Sequence, residues 1–278
     1  MSKKSLEFNL IIDSSRVQKE YLKDLFRYRE LFYFFAWRDI LVRYKQTFLG
    51  VAWALIRPLL NMAVFAFVFG KVANLASDHI NYPLFILAGM LPWQLFASCL
   101  IETSNSLVNN APMISKVYFP RMILPISYIL VNFVDFAISL AMLLFLFLVT
   151  GSFQHWTILL LPAFIGLTLI LCLGTSLWLA AITVRFRDFR FIVPFIVQFG
   201  MFISPVGYGS FLVPEPWRWL YFLNPMAGII EGFRWCCFGA YHADLPAALA
   251  ISCLVNAVLL VTGFRYFRKM ERIFADII

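Results

Sequence analysis

Repeated stretches of uninterrupted apolar residues, each long enough to cross a bilayer, constrain this chain more than any other feature. Residues 138–149 read ISLAMLLFLFLV, with no alternation of polar and apolar positions. A transmembrane helix needs roughly 20 mostly apolar residues to cross about 30 Å of hydrocarbon. Strands of a membrane barrel alternate over about ten positions. Lipid offers the backbone no hydrogen-bond partners, so an apolar run must satisfy its own N–H and C=O groups as a helix. Spans are expected at about residues 52–73, 83–103, 122–149, 157–183, 191–208 and 247–266, which makes the chain an all-α integral membrane protein with six transmembrane helices. Composition agrees: 62% of the residues are apolar and 14% charged, against about a quarter charged in soluble domains.

The regions outside these spans divide the chain into a cytoplasmic part, 1–50, and a transmembrane part, 51–278. Residues 1–20 are polar and contain no apolar core of signal-peptide length, so insertion is expected to begin with the first span. Residues 20–39 predict an amphipathic helix. Tyr21, Leu25, Tyr28, Phe32 and Phe35 recur at spacings of four and three, opposite Lys23, Asp24, Arg27 and Glu30. Such a helix is expected in the membrane interface, aromatics towards lipid; packing on the protein's own surface is the alternative. Residues 211–240 are apolar but are divided by Pro214, Pro216 and Asn224–Pro225. The pieces are too short to cross at 1.5 Å per residue, and a re-entrant helical hairpin before the last span is expected.

Charge fixes the orientation. With both termini in the cytoplasm, 20 of the 23 Lys and Arg fall on the inner side, leaving Lys71, Arg218 and Arg234 outside. This is the positive-inside pattern, so the net charge of +8 is a topology signal and does not point to nucleic acid. Cys99, Cys172, Cys236, Cys237 and Cys253 show no CxxC spacing, and His79, His155 and His242 are isolated. No metal site and no catalytic group are expected. Glu102 and Asp135 are the acids expected at membrane depth or its edge, with no obvious basic partner by spacing. Sparse, scattered acids argue against a membrane enzyme, and the lack of paired acids and of a clear repeat argues against an ion-coupled transporter. Trp217, Trp219, Tyr221 and Trp235 read as an outer aromatic belt, with a gate or exit platform as the second reading.

Residues 36–70, AWRDILVRYKQTFLGVAWALIRPLLNMAVFAFVFG, resemble the opening of ABC-2 type transporter permeases, especially those exporting lipid-linked polysaccharides such as O antigen. AGMLPWQLFASCL, NNAPMISKVYFPRMILPIS, ITVRFRDFRFIVPFIVQFGMFISPV, FLNPMAGIIEGFRW and FRKMERIFADII extend the resemblance over nearly the whole chain. It implies a homodimer in the bacterial inner membrane, served by two copies of a cytoplasmic ABC ATPase that holds the ATP and Mg. The chain has no GxxxxGK[ST] phosphate loop, so hydrolysis is expected on that partner and no cofactor on this chain. An undecaprenyl-pyrophosphate-linked polysaccharide is the implied cargo; capsule, teichoic acid or a small molecule are alternatives within the family. The resemblance also directs attention to particular residues. If the first span starts near Phe48, Arg57 lies inside it, where a charge is costly and faces a cavity or partner; if the span begins later, Arg57 snorkels to the interface. It is the expected contact for an anionic head group, with Arg38, Arg43 and Lys45 attracting it. Trp53 and Phe65 are candidate conduit aromatics. Met113, Ile114, Lys116, Val117 and Tyr118, together with Arg185, Arg187 and Asp188, are expected to dock on the ATPase.

Overall fold

In a computed structural model of the protein, residues 21–45, 50, 52–72, 81–151, 155–239 and 243–274 are described. The tail 1–20 lies outside them, as do residues 46–49, His79 and His242. The elements are α1 (Tyr21–Arg27), α2 (Arg29–Lys45), α3 (Ala52–Phe65, continued by a π-helical stretch Ala66–Val72), α4 (Tyr82–Asn109), α5 (Ala111–Ile114), α6 (Ile123–Thr150), α7 (Leu161–Arg185, led in by the 3-10 turns Trp156–Leu160), α8 (Phe189–Ile203), α9 (Glu215–Tyr221), α10 (Pro225–Phe238) and α11 (Leu245–Glu271).

Among the described residues, five helical stretches are long and apolar enough to cross a membrane: Ala52–Val72, Tyr82–Asn109, Ile123–Thr150, Trp156–Arg185 and Leu245–Glu271. Of the expected fifth span, 191–208, the structure is helical as far as Ile203. Here α8 has 15 residues, or roughly 22 Å, and stops at Ser204, whose backbone is extended (ψ 151°). Pro205 enforces this, because proline disfavours the helical conformation in the residue before it.

The central bundle is formed by α4, α6, α7 and α11, with α10 inserted against α4, α7 and α11. Residues 226–234 of α10 are all buried. Its entry is set by Asn224, whose side chain accepts a hydrogen bond from the Met226 N–H at 3.0 Å and donates to Ser204 Oγ at 2.9 Å. By contrast, α3 rides on the outside of the bundle: Pro58 is the one buried side chain of Ala52–Phe65. The outer face of α8 is likewise open, with Phe191, Phe195, Phe199 and Phe202 exposed.

The amphipathic segment also departs from expectation. It breaks into two helices at Tyr28 and continues to Lys45. Its predicted apolar stripe turns towards the protein. Tyr21 and Phe35 are buried in a cluster with Ile114, Phe119, Phe267 and Phe274, and Leu25, Tyr28 and Phe32 pack against it. The exposed aromatics are others: Phe26, Tyr33, Phe34 and Trp37. Both faces are rich in aromatics, so spacing alone identified a stripe without showing which side it met.

Candidate substrate cavity and coupling surface

The end of α2 reaches into the space between α4 and α6. There the Arg43 guanidinium donates from Nη2 to both carboxylate oxygens of Glu102, at 2.7 Å each. Its Nη1 donates to Asp135 and, at 3.4 Å, to Asn132 Oδ1. The Tyr44 hydroxyl donates to the other Asp135 oxygen, and Asn132 Nδ2 donates to Glu102 Oε2 at 2.9 Å. Burial pulls the Arg43 pKa down, but the Glu102 and Asp135 carboxylates outweigh it and hold the guanidinium charged. Burial first, and then the hydrogen bond to Asp135, push the Tyr44 phenol up.

This cluster forms one wall of a cavity of about 750 Å³ between α3, α4, α6 and α8. Arg57, Trp53, Asn61, Gln94 and Gln198 line it elsewhere. Arg57 is exposed, and its guanidinium lies 6.0 Å from the Trp53 ring. No carboxylate among the described residues is paired with it. The cavity therefore offers one guanidinium with no carboxylate contact among the described residues, beside an aromatic face and together with several carboxamides. That combination suits a phosphate carrying a hydroxyl-rich group: guanidinium binds phosphate oxygens in pairs, and carboxamides both donate and accept.

Several expected residues take other places. Arg38 pairs with Asp39 at 2.8 Å and lies 5.3 Å from the Phe35 ring, while Lys45 is exposed at the end of α2. Arg43, expected to attract an anion, is instead committed to two carboxylates. Glu102, expected to end its span, sits inside α4, which runs on to Asn109. Trp53 lines the cavity; Phe65 does not, but packs with Phe69, close to Gly207.

On the expected docking surface, Lys116, Val117 and Tyr118 are exposed and Met113 is half-buried. Ile114 is buried against Phe35 and Phe119 and holds the loop onto the bundle, so it cannot itself meet a partner. Arg185, Phe186, Arg187 and Asp188 are all exposed after α7, and the Arg185 guanidinium lies 5.2 Å from the Phe186 ring. Both segments belong to one end of the bundle. There Glu271 of α11 accepts the Arg121 backbone N–H at 3.0 Å and the Tyr21 hydroxyl at 3.0 Å.

At the other end, Trp217 and Trp219 are exposed, whereas Tyr221 and Trp235 are partly buried. Tyr221 donates to the Tyr208 hydroxyl at 3.3 Å, and the Trp235 carbonyl accepts from Thr157. Sequence reasoning missed the main feature of this end. Arg234 and Glu231 are buried side by side, at 3% and 7% side-chain exposure and 3.5 Å apart. Their spacing of three on a helix was the available signal.

The family model for the ABC-2 type transporter matches residues 30–238, more than half of the chain, and the chain belongs to this family. It is 29% identical over 257 residues to the O-antigen export system permease protein RfbA of Myxococcus xanthus, covering 92% of this chain and 98% of that protein. It is also 29% identical over 246 residues to a Klebsiella pneumoniae protein of the same description, covering 87% and 92%. The polysialic acid transport protein KpsM of Escherichia coli is 23% identical over 243 residues, covering 84% and 91%.

Proposed function

We propose that the chain is the permease subunit of an ATP-driven exporter that carries an undecaprenyl-pyrophosphate-linked, O-antigen-type polysaccharide from the cytoplasm to the periplasm. It acts as a homodimer in the bacterial inner membrane, with two copies of a cytoplasmic ATPase that binds ATP and Mg. The observation that carries the reading is Arg57, placed without a carboxylate partner among the described residues, beside Trp53 in a cavity flanked by the most exposed apolar helices. The relatives named for O-antigen and polysialic acid export support it. The exposed flanks of α3 and α8 are the surfaces a second copy would cover, and buried α10 is the inner arm of the re-entrant hairpin. The aromatics Phe26, Tyr33, Phe34 and Trp37 rest at the cytoplasmic membrane surface.

Deleting the gene is expected to remove the surface glycan and trap its lipid-linked form inside the cell. Arg57→Ala is expected to cut export about tenfold or more, the cost of one hydrogen-bonded charge. Arg57→Lys should fall between, because an ammonium keeps the charge but loses the paired donors. Wild-type export in both variants, measured as surface glycan per assembled complex, would remove the head-group role. Orientation has its own test. In a Cys253→Ser background, a cysteine at Val117 or Arg187 should react with an impermeant maleimide only after the inner face is opened, and one at Trp217 in intact spheroplasts.

A further inference from the structure

We propose that Arg43 is a positioning residue that transmits movement of the ATPase-docking loop to the mouth of the cavity, an inference that rests on the exporter reading above. The loop's exposed residues, 115–118, lie between α4 and α6, and these are the two helices that Arg43 joins. Glu102 lies on α4 shortly before it enters α5, and Asp135 lies on α6 a few turns after the loop ends. One guanidinium thus bridges the two arms of the loop from a third element, α2. The bridge sits close to the cavity mouth in the chain. Arg43 is two residues from the end of α2, and α3 begins at Ala52 and carries Arg57.

The chemistry favours a link that moves with both helices. A planar guanidinium presents a fixed fork of donors, and here the fork is filled: both Glu102 oxygens on one side, Asp135 and Asn132 on the other. Tyr44 adds a second tie from α2 to Asp135. The three charged side chains are 30%, 30% and 33% exposed, so the pairs lie between the screened surface case and a sealed interior. Shifting α4 against α6 must stretch one arm of this bridge or drag α2 along. Dragging is favoured, because parting either pair leaves a charge in a poorly solvated site.

The rival role for Arg43 is a direct contact for the anionic cargo, and the two roles make opposite forecasts. If Glu102 merely masks Arg43, Glu102→Gln should preserve or raise export. If Glu102 is one arm of a bridge, the same change should lower it.

The test uses the complete complex with its ATPase in nanodiscs, with spin labels on a cysteine at Val42 and on native Cys253. Both positions are exposed, while Cys99, Cys172, Cys236 and Cys237 are buried. ATP is expected to change the label-to-label distance in the otherwise native protein. In Glu102→Gln and Arg43→Lys the change should fall to less than about half, and cellular export per assembled complex should drop about tenfold, a size typical of coupling between sites. Glu102→Asp, which keeps a carboxylate for Arg43, should retain part of both, which guards against variants that simply misassemble. An undiminished ATP-dependent distance change in Glu102→Gln, or export at or above the native level, overturns the proposal. The distance measurement does not depend on the cargo. If deletion leaves the surface glycan intact while the distance change still requires Glu102, the exporter reading fails and the coupling role stands.

Discussion

Arg234→Met is expected to lower the melting temperature of the detergent-solubilised protein by about 10 °C and to reduce its accumulation in the membrane. Arg234 is almost fully buried, yet every face of its guanidinium is occupied. It donates to the carbonyls of Val206 at 2.7 Å, Tyr208 at 2.9 Å and Phe85 at 3.3 Å, and lies 3.7 Å from the Phe85 ring centroid. Two of those carbonyls belong to the non-helical stretch that follows the early end of α8. Because the helix ends before them, these carbonyls have no helical N–H partners, and Arg234 supplies replacements. Glu231 completes the arrangement by accepting the Ser210 N–H at 2.8 Å. Removing one member of a buried ion pair costs about 3–5 kcal/mol, because the other charge is left without compensation. The double variant Glu231→Gln/Arg234→Met should therefore melt higher than Arg234→Met alone. Equal melting of Arg234→Met and the native protein would show that the carbonyls find other partners.

The same residue illustrates where sequence reading succeeds and where it stops. Apolar length located the spans well: 122–149 and 157–183 correspond to helices Ile123–Thr150 and Trp156–Arg185. It cut the second span short at 103, although α4 runs to Asn109. The polar residues there do not end the helix, because Ser104, Asn105 and Ser106 donate to carbonyls in the preceding turn. Hydropathy treats them as a loop, whereas their hydrogen bonds are local and leave the helix intact. Arg57 as a cavity residue was legible, since a charge in a span needs a polar setting. The Arg43 bridge was not: its partners lie 59 and 92 positions away in the chain. No local spacing rule reaches that far, so a basic residue outside the spans and two acids inside them read as unrelated. Arg234 was counted only as an outer positive charge for the same reason, its carbonyl partners being placed by tertiary packing.

Gly263→Leu is expected to destabilise the bundle more than any other single substitution on α11. A Cβ at Gly263 would lie 2.4 Å from the Gly174 carbonyl oxygen, and one at Gly174 would lie 2.8 Å from the Leu260 backbone nitrogen. The close atoms are backbone, so no side-chain rotation can relieve the clash, and α7 and α11 must separate. In lipid that separation is costly for a particular reason: apolar tails solvate the exposed faces as well as leucine does, so helix association depends on close packing and interhelical hydrogen bonds. Both would be lost here. Trp178, one turn beyond Gly174, donates from Nε1 to Thr262 Oγ1 at 3.0 Å, next to Gly263, and stacks on Tyr266 with ring centroids 4.4 Å apart. Gly166 provides the control on the same α7 helix, since nothing lies within 4 Å of a Cβ added there. Gly166→Ala should be neutral or stabilise by about 0.5–1 kcal/mol, as expected when a helical glycine gains a methyl group in open space. Gly263→Ala should melt below the native protein and Gly263→Leu lower still; a glycine acting only through helix propensity would give the reverse order. Function should follow the same order, because α7 leads directly to Arg185 and Arg187, and α11 ends at Glu271 under the Arg121 loop. Parting these two helices would spread the two expected docking segments away from the spacing a rigid ATPase surface requires.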